Sequence, residues 1–296
     1  MNKIVYSLSY DYLTDYPHEL IYCNDYNSTI TILKLIVGEI VVEKEEHEEK
    51  TKPRNFSVLP FEETNENEVI RANKYISIFT EEENYTDYET IRKFLLANRE
   101  NNNIVKPILT ELSNCLIKYD NEMFTSSFLH IYRCVENMTY IFPHIYAKCF
   151  NSYKGTYDAL KDFFNQDKSE KELKMYKILS DKLFDGSLLV SSSFEFDYGF
   201  LDDNDFEIIK KIFSNEYFGF QFEYYDKKVK IDFSNMFNFI ITLRNRCFHM
   251  LEGTTSKYIK IDDLDFDTLF KGIVLEIVNW FSIVYVKLIS KQFEQI

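Results

Sequence analysis

Backbone punctuation is scarce in this chain. Seven glycines and five prolines are spread over 296 residues, so little stops a helix once it has started, and turns that demand a positive φ have few residues to supply them. Such a chain is steered toward long helices and away from a loop-rich sandwich. The 27 Phe and 22 Tyr then have to be buried between helices. A hydrophobic content of 45% against 28% charged residues is that of a globular protein rather than a disordered one, and the length suits one large or two ordinary domains.

The formal charge is -14 and the pI is near 4.9. A field of that sign repels polyanions at long range and argues against a broad, charge-driven nucleic-acid coat. Any contact with RNA has to be local and geometric, made by a few arginines converging on one cleft. Cys23, Cys115, Cys134, Cys149 and Cys247 form no C-x-x-C pair and no metal-like spacing with histidine, so reduced, mostly buried thiols and no metal are expected. The N-terminus lacks an uninterrupted apolar signal core. The apolar stretch from Gly272 to Ser290 carries Glu276, Asn279 and Lys287, which falls short of a comfortable bilayer span. A cytoplasmic protein with no membrane contact is expected.

The first hundred residues differ from the rest. Thr29 to Val37 and Glu39 to Val42 are β-branched runs split by Gly38, which predicts strands meeting at a turn. Residues 43 to 50 are a mixed-charge stretch, with His47 among acidic neighbours as part of a solvated run. Asn55 to Phe61 could add a strand, and 67 to 79 and 88 to 99 look helical, giving a small α+β module over residues 1–104. Asn101-Asn102-Asn103 is the expected joint, with Pro107 at a first helical position. Residues 105–296 then read as helical: one long helix over Glu122 to Phe150 kinked near Pro143, further helices at Tyr157 to Asn165, Glu170 to Phe184 and Asp205 to Phe213, and an inserted hairpin. The hairpin alternates through Phe218 to Tyr225, turns at Asp226-Lys227-Lys228 and returns through Val229-Lys230-Ile231. An apolar helix over Phe233 to Leu251, capped by Asp232 or Ser234 and closed at Gly253, precedes a terminal helix capped by Asp262 or Asp265.

That apolar helix contains Arg244-Asn245-Arg246-Cys247-Phe248-His249, where buried cations are costly without a purpose. The hexamer, in the last third of the chain on the C-terminal half of its helix with one long helix to follow, resembles the R-x4-6-H signature of HEPN domains, and the resemblance covers residues 107 to 296. It implies a mainly α fold, a HEPN-like helical bundle behind the N-terminal α+β module. It also implies a homodimer in which two copies of the motif helix face each other across a two-fold axis and build one cleft. The activity implied is a metal-independent, cofactor-free endoribonuclease, in a toxin or abortive-infection antiphage role, with a neutralising antitoxin or a trigger protein as partner.

The chemistry suits the residues. His249 could take the proton of a ribose 2′-OH or protonate the leaving oxygen, and Arg244, with Arg246, could fork onto the phosphorane. The product would be a 2′,3′-cyclic phosphate, and DNA, lacking the 2′-OH, would stay whole. On an ideal helix Asn245 lies about 40° and Arg246 about 60° from His249, on opposite flanks, while Arg244 is about 140° round. Arg244 therefore reaches the site by its long side chain or from a second copy. A plainer reading of the same residues is surface ion pairs and a histidine near a helix C-terminus. A second polar stripe, His130, Arg133, Asn137, Tyr140 and His144, could bind substrate: Arg133 on phosphate, Asn137 or Tyr140 on sugar or base. An Arg133/Glu136 pair with ordinary buried hydrogen bonds explains that stripe equally well. A non-catalytic HEPN-like binding or scaffold protein is the rival function.

Overall fold

Helices dominate the structure, as the shortage of breakers dictates. The computed structural model describes residues 4–8, 28–44, 49–56, 93–94, 102–149, 152–165, 171–184, 191–248 and 264–293. Packing groups the chain into two units, Met1–Asn121 with Phe281–Ile296, and Glu122–Trp280.

In the first unit the chain runs β1 (Ile4–Leu8), α1 (Ser28–Ile36), β2 (Ile40–Lys44), β3 (Glu49–Lys50) and α2 (Asn102–Asp120). The strands make an antiparallel sheet in the order β1-β2-β3, with Tyr6 opposite Val42. The run from Thr29 is thus a helix, not the strand that its β-branched composition predicts. Every residue of α1 is buried. Burying each Ile or Leu is worth about 1.5–3 kcal/mol, which outweighs a strand preference spanning about 1 kcal/mol. The split at Gly38 is real, because its φ is +77° and a Cβ there would stand 2.6 Å from the carbonyl oxygen of Arg54.

Residues 51–56 form no strand but lie pinned along the unit; residues 57–61, 67–79 and 45–48, with His47, are outside the described set. Thr51 accepts from Val42 N at 2.9 Å and the Phe56 amide donates to Ile36 O at 2.8 Å. Arg54 forks onto Asp120, which also accepts from the Lys52 amide at 2.8 Å. Pro107 sits inside α2 rather than in its first turn, since the helix already starts at Asn102 within the expected joint. Pro107 and Asn103 are both exposed, so water can satisfy the carbonyl that the missing proline N–H leaves free.

In the second unit the expected long helix is two helices, α3 (Phe124–Thr139) and α4 (Phe142–Cys149). Tyr140 and Ile141 close α3 with short-range bonds to Asn137 O and Met138 O. Pro143 then falls at the start of α4, where its lack of an N–H costs nothing and its ring disfavours a helical conformation upstream. There follow α5 (Tyr153–Asn165), α6 (Lys171–Leu183), β4 (Ser193–Asp197), α7 (Asp203–Ile212), α8 (Asn215–Phe218), β5 (Glu223–Tyr225) and β6 (Lys228–Asp232).

The hairpin β5–β6 is present but its first strand is shorter than the expected run from Phe218, since Phe218 ends α8 and only Glu223–Tyr225 pairs; it turns through Asp226 (φ 45°) and Lys227 (φ 59°). Two left-handed residues are the signature of a type I′ turn, whose twist matches that of the strands. β4 adds a third antiparallel strand, in the order β4-β6-β5. Phe194, Phe196, Val229 and Ile231 point into the core, and Glu195–Lys228 (3.2 Å) and Glu223–Lys230 (2.8 Å) ion pairs cover the outer face.

A 3-10 turn over Phe233–Asn235 leads into α9 (Met236–Phe248), with Asp232 at the cap position of that turn. Asp265 caps the short α10 (Phe266–Lys271) rather than the terminal helix, accepting from Thr268 N at 3.2 Å. The terminal helix, α11 (Val274–Phe293), starts beyond Gly272. Its residues through Trp280 belong to the second unit and those from Phe281 to the first. No helix among the described residues is long and apolar enough to cross a membrane. Cys115, Cys134 and Cys247 are buried and not in a disulfide; Cys23 and the side chain of Cys149 are outside the described set.

Candidate functional site

α9 is the central helix of the second unit. Met236, Phe237, Phe239, Ile240, Leu243, Arg246 and Cys247 are buried on it. Tyr176 of α6 stacks on Phe237 at 4.3 Å, and Phe196 of β4 on Phe239 at 5.0 Å. What remains open is a narrow stripe, with Asn238, Ile241 and Thr242 half-buried and Asn245 exposed. Its C-terminal end is held firmly. Phe248 stacks on Phe270 at 5.9 Å and on Phe128 of α3 at 6.1 Å, and meets Phe266 edge-on. Everything up to the residue before His249 is therefore anchored. His249 itself, and Gly253, lie outside the described residues.

The two arginines of the motif go to different places. Arg244 is half-buried, with its guanidinium carbon 5.0 Å from the centre of the Tyr132 ring and its Nη1 donating to Asn245 Oδ1 at 3.1 Å. A guanidinium backed by an aromatic face keeps its donor edges available for an oxyanion. Arg246 is only 9% exposed. Its Nη1 donates to the carbonyl of Ile212, the last residue of α7, and its guanidinium carbon lies 3.9 Å from the Tyr217 ring centre and 5.4 Å from that of Phe218. A cation on a helix C-terminus is favourable. Burial still pushes the Arg246 pKa down from its ordinary value, countered by Tyr217, Cys247 and Glu216. Arg246 thus ties α7 and α8 to α9. Next to it, burial raises the Cys247 thiol to about 12, so this cysteine is protonated and no nucleophile.

The stripe on α3 and α4 faces outward. Arg133 and His144 are exposed, His130 and Asn137 half-buried, and Tyr140 is 66% exposed. The side chain that meets Arg244 is Tyr132, about 100° round the helix from Arg133. Sequence reasoning missed Tyr132, because nothing in its spacing distinguishes it from a packing aromatic; only the tertiary approach of α3 to α9 gives it a role. The structure brings together Arg244, Asn245 and Tyr132, and places Arg246 on the opposite flank of α9.

An open pocket of about 370 Å³ lies elsewhere in the same unit, between α7 and the hairpin turn, lined among others by Asp203, Glu207, Lys210, Asp226 and Lys227. Its two lysines are already paired, Lys210 with Glu207 at 2.6 Å and Lys227 with Asp203 at 3.0 Å, and no motif residue reaches it. Among the described residues no three His, Cys, Asp or Glu side chains cluster as metal ligands would. No protein-family profile, curated protein or solved structure matches the chain.

Proposed function

We propose that this protein is a metal-independent endoribonuclease of the HEPN type, acting as a homodimer. The observation that carries the reading is Arg244, kept half-open against Tyr132 beside the exposed Asn245, on an otherwise buried helix. A cation held ready at the one open stripe of a core helix needs a purpose, and a scissile phosphate supplies one. In this reading Arg244 neutralises the phosphorane and His249 moves the 2′-OH proton. Asn245 steadies the guanidinium, and Arg133, Asn137 and Tyr140 contact the strand further along. Arg246 supports the site by fixing α9 to α7. The cellular role is that of a toxin or antiphage effector, released from a neutralising antitoxin or switched on by a trigger protein.

The test is a fluorescent single-stranded RNA incubated with the protein in EDTA. Cleavage to 2′,3′-cyclic phosphate ends is expected, with a DNA of the same sequence intact. His249→Ala and Arg244→Ala should each slow cleavage by about 10²-fold or more. Equal rates for wild type and His249→Ala, or no cleavage of any RNA, would sink the nuclease reading. A second reading, a binding or scaffold protein on the same fold, is favoured by Arg246: one of the two motif cations is occupied by a purely structural contact.

A further inference from the structure

Exposed aromatic surface is concentrated in one stretch of the second unit. Of the six exposed large hydrophobic side chains among the described residues, three are tyrosines between residues 140 and 157. Tyr153 is 96% exposed and Tyr157 64%. Both stand on α5, one turn apart, and no described residue from Tyr153 to Lys161 is buried. The helix is nonetheless well started. Ser152 accepts from the Gly155 amide at 3.2 Å through its hydroxyl and from Thr156 N at 2.8 Å through its carbonyl, as an N-cap should.

On the helical wheel Tyr153, Tyr157 and Lys161 fall within about 80° of one another, and Lys154 lies about 20° beyond Lys161. Among the described residues none of these four side chains makes a hydrogen bond, an ion pair or a ring contact. In a chain of charge -14, this stripe itself carries two lysines and no acid, with Asp158 and Asp162 on the adjoining flank. Packing does not explain two bare rings interleaved with two bare ammonium groups. Such an arrangement is suited to bases and phosphates: the ring faces stack bases, the lysines follow the backbone, and neither reads sequence.

We infer that the Tyr153/Tyr157 face of α5, flanked by Lys154 and Lys161, is a stacking platform for single-stranded RNA. The two residues are about 6 Å apart along the helix axis, a step that consecutive nucleotides of an extended strand can span. The platform rests on the ribonuclease reading for its purpose, which is to hold the strand while Arg244 and His249 act on it. Its recognition is different in kind, because stacking does not consult the 2′-OH.

The experiment reads binding and cleavage separately. Binding is followed by anisotropy with a short fluorescein-labelled 2′-O-methyl RNA, which cannot be cut by 2′-OH attack. Replacing both rings, Tyr153→Ala with Tyr157→Ala, should weaken binding by about tenfold or more, while Tyr153→Phe with Tyr157→Phe keeps the affinity. Lys154→Gln with Lys161→Gln should flatten the log–log salt dependence by about 1.4, two phosphates' worth for a single strand. Single-stranded DNA should compete about as well as RNA.

The platform is overturned if wild type binds no single-stranded RNA, or if the double alanine variant binds as wild type does. It is also overturned if that variant loses self-association in light scattering and keeps its RNA affinity, which would make the face a protein contact. The two readings fail separately. Tyrosine-dependent binding without any cleavage of unmodified RNA keeps the platform and sinks the nuclease, whereas cleavage with tyrosine-independent binding does the reverse.

Discussion

Arg244 and Arg246 are two residues apart in the chain and meet different partners, so a single helix separates a cation held open from a cation spent on the fold. Removing Arg246 leaves the Ile212 carbonyl without its donor and the Tyr217 and Phe218 rings without their cation. A charged hydrogen bond of about 1.5–3 kcal/mol and a desolvated cation–π contact are lost together. Arg246→Ala is therefore expected to cost about 3 kcal/mol in urea unfolding, and Arg246→Lys should recover little, because an ammonium cannot both stack flat and reach the carbonyl. Arg244→Ala should leave unfolding within about 0.5 kcal/mol, as is usual at a partly exposed position. A large stability loss at Arg244 would mean that it too is structural. The hexamer was legible as unusual, since cations interrupt an apolar run; which arginine stays open was not, because that depends on α7 and α8 arriving beside Arg246.

Glu276 offers a pH-dependent counterpart. Burial raises its carboxyl above the ordinary 4.5, helped by Glu195 and opposed by the Asn279 hydrogen bond. A raised folded-state pKa means that the folded protein holds the proton more tightly than the unfolded chain does. The stabilisation is then complete below the unfolded value and is lost as pH rises through the folded one. Glu276→Gln should raise Tm at neutral pH, and the gain should vanish on acidification below the ordinary carboxylate range. A gain independent of pH would deny the effect of burial.

Among the elements, those whose pattern is local were readable and those decided by tertiary enclosure were not. The hairpin announces itself through alternation and a polar turn, and Pro143 marks the change of helix after α3. α1 does not, since its composition favours a strand and only complete burial makes it a helix. The strap over residues 51–56 was invisible for a similar reason: it depends on Asp120, far along the chain. Gly38 joins the two. Its φ of +77° and the 2.6 Å approach of Arg54 O leave no room for a methyl group, so Gly38→Ala should destabilise the first unit by about 2 kcal/mol or more. Asp120→Asn should release the same strap, observed as faster amide exchange at Lys52 and Phe56 while α2 stays protected. Unchanged exchange at both amides would show that the strap does not rest on Asp120.

For the whole molecule, the grouping of Phe281–Ile296 with Met1–Asn121 bears on where the chain can be cut. A fragment spanning 105–296 keeps Phe281, Tyr285 and Leu288, all buried in the intact chain, but lacks the strands and α1 of their unit, so it should be poorly soluble beside the fragment 122–280. The composite site asks for a test at the same scale. If Arg244 of one copy serves His249 of the other across a two-fold axis, then mixing Arg244→Ala with His249→Ala protein builds heterodimers in which one of two sites has both groups intact and the other has neither. Random exchange makes about half of the dimers mixed, each with one working site, so about a quarter of wild-type cleavage should return from two inactive proteins. If each site draws both groups from one chain, mixing returns nothing. A strict monomer in light scattering would remove the composite site altogether and leave Arg244 and Asn245 to be explained within one copy.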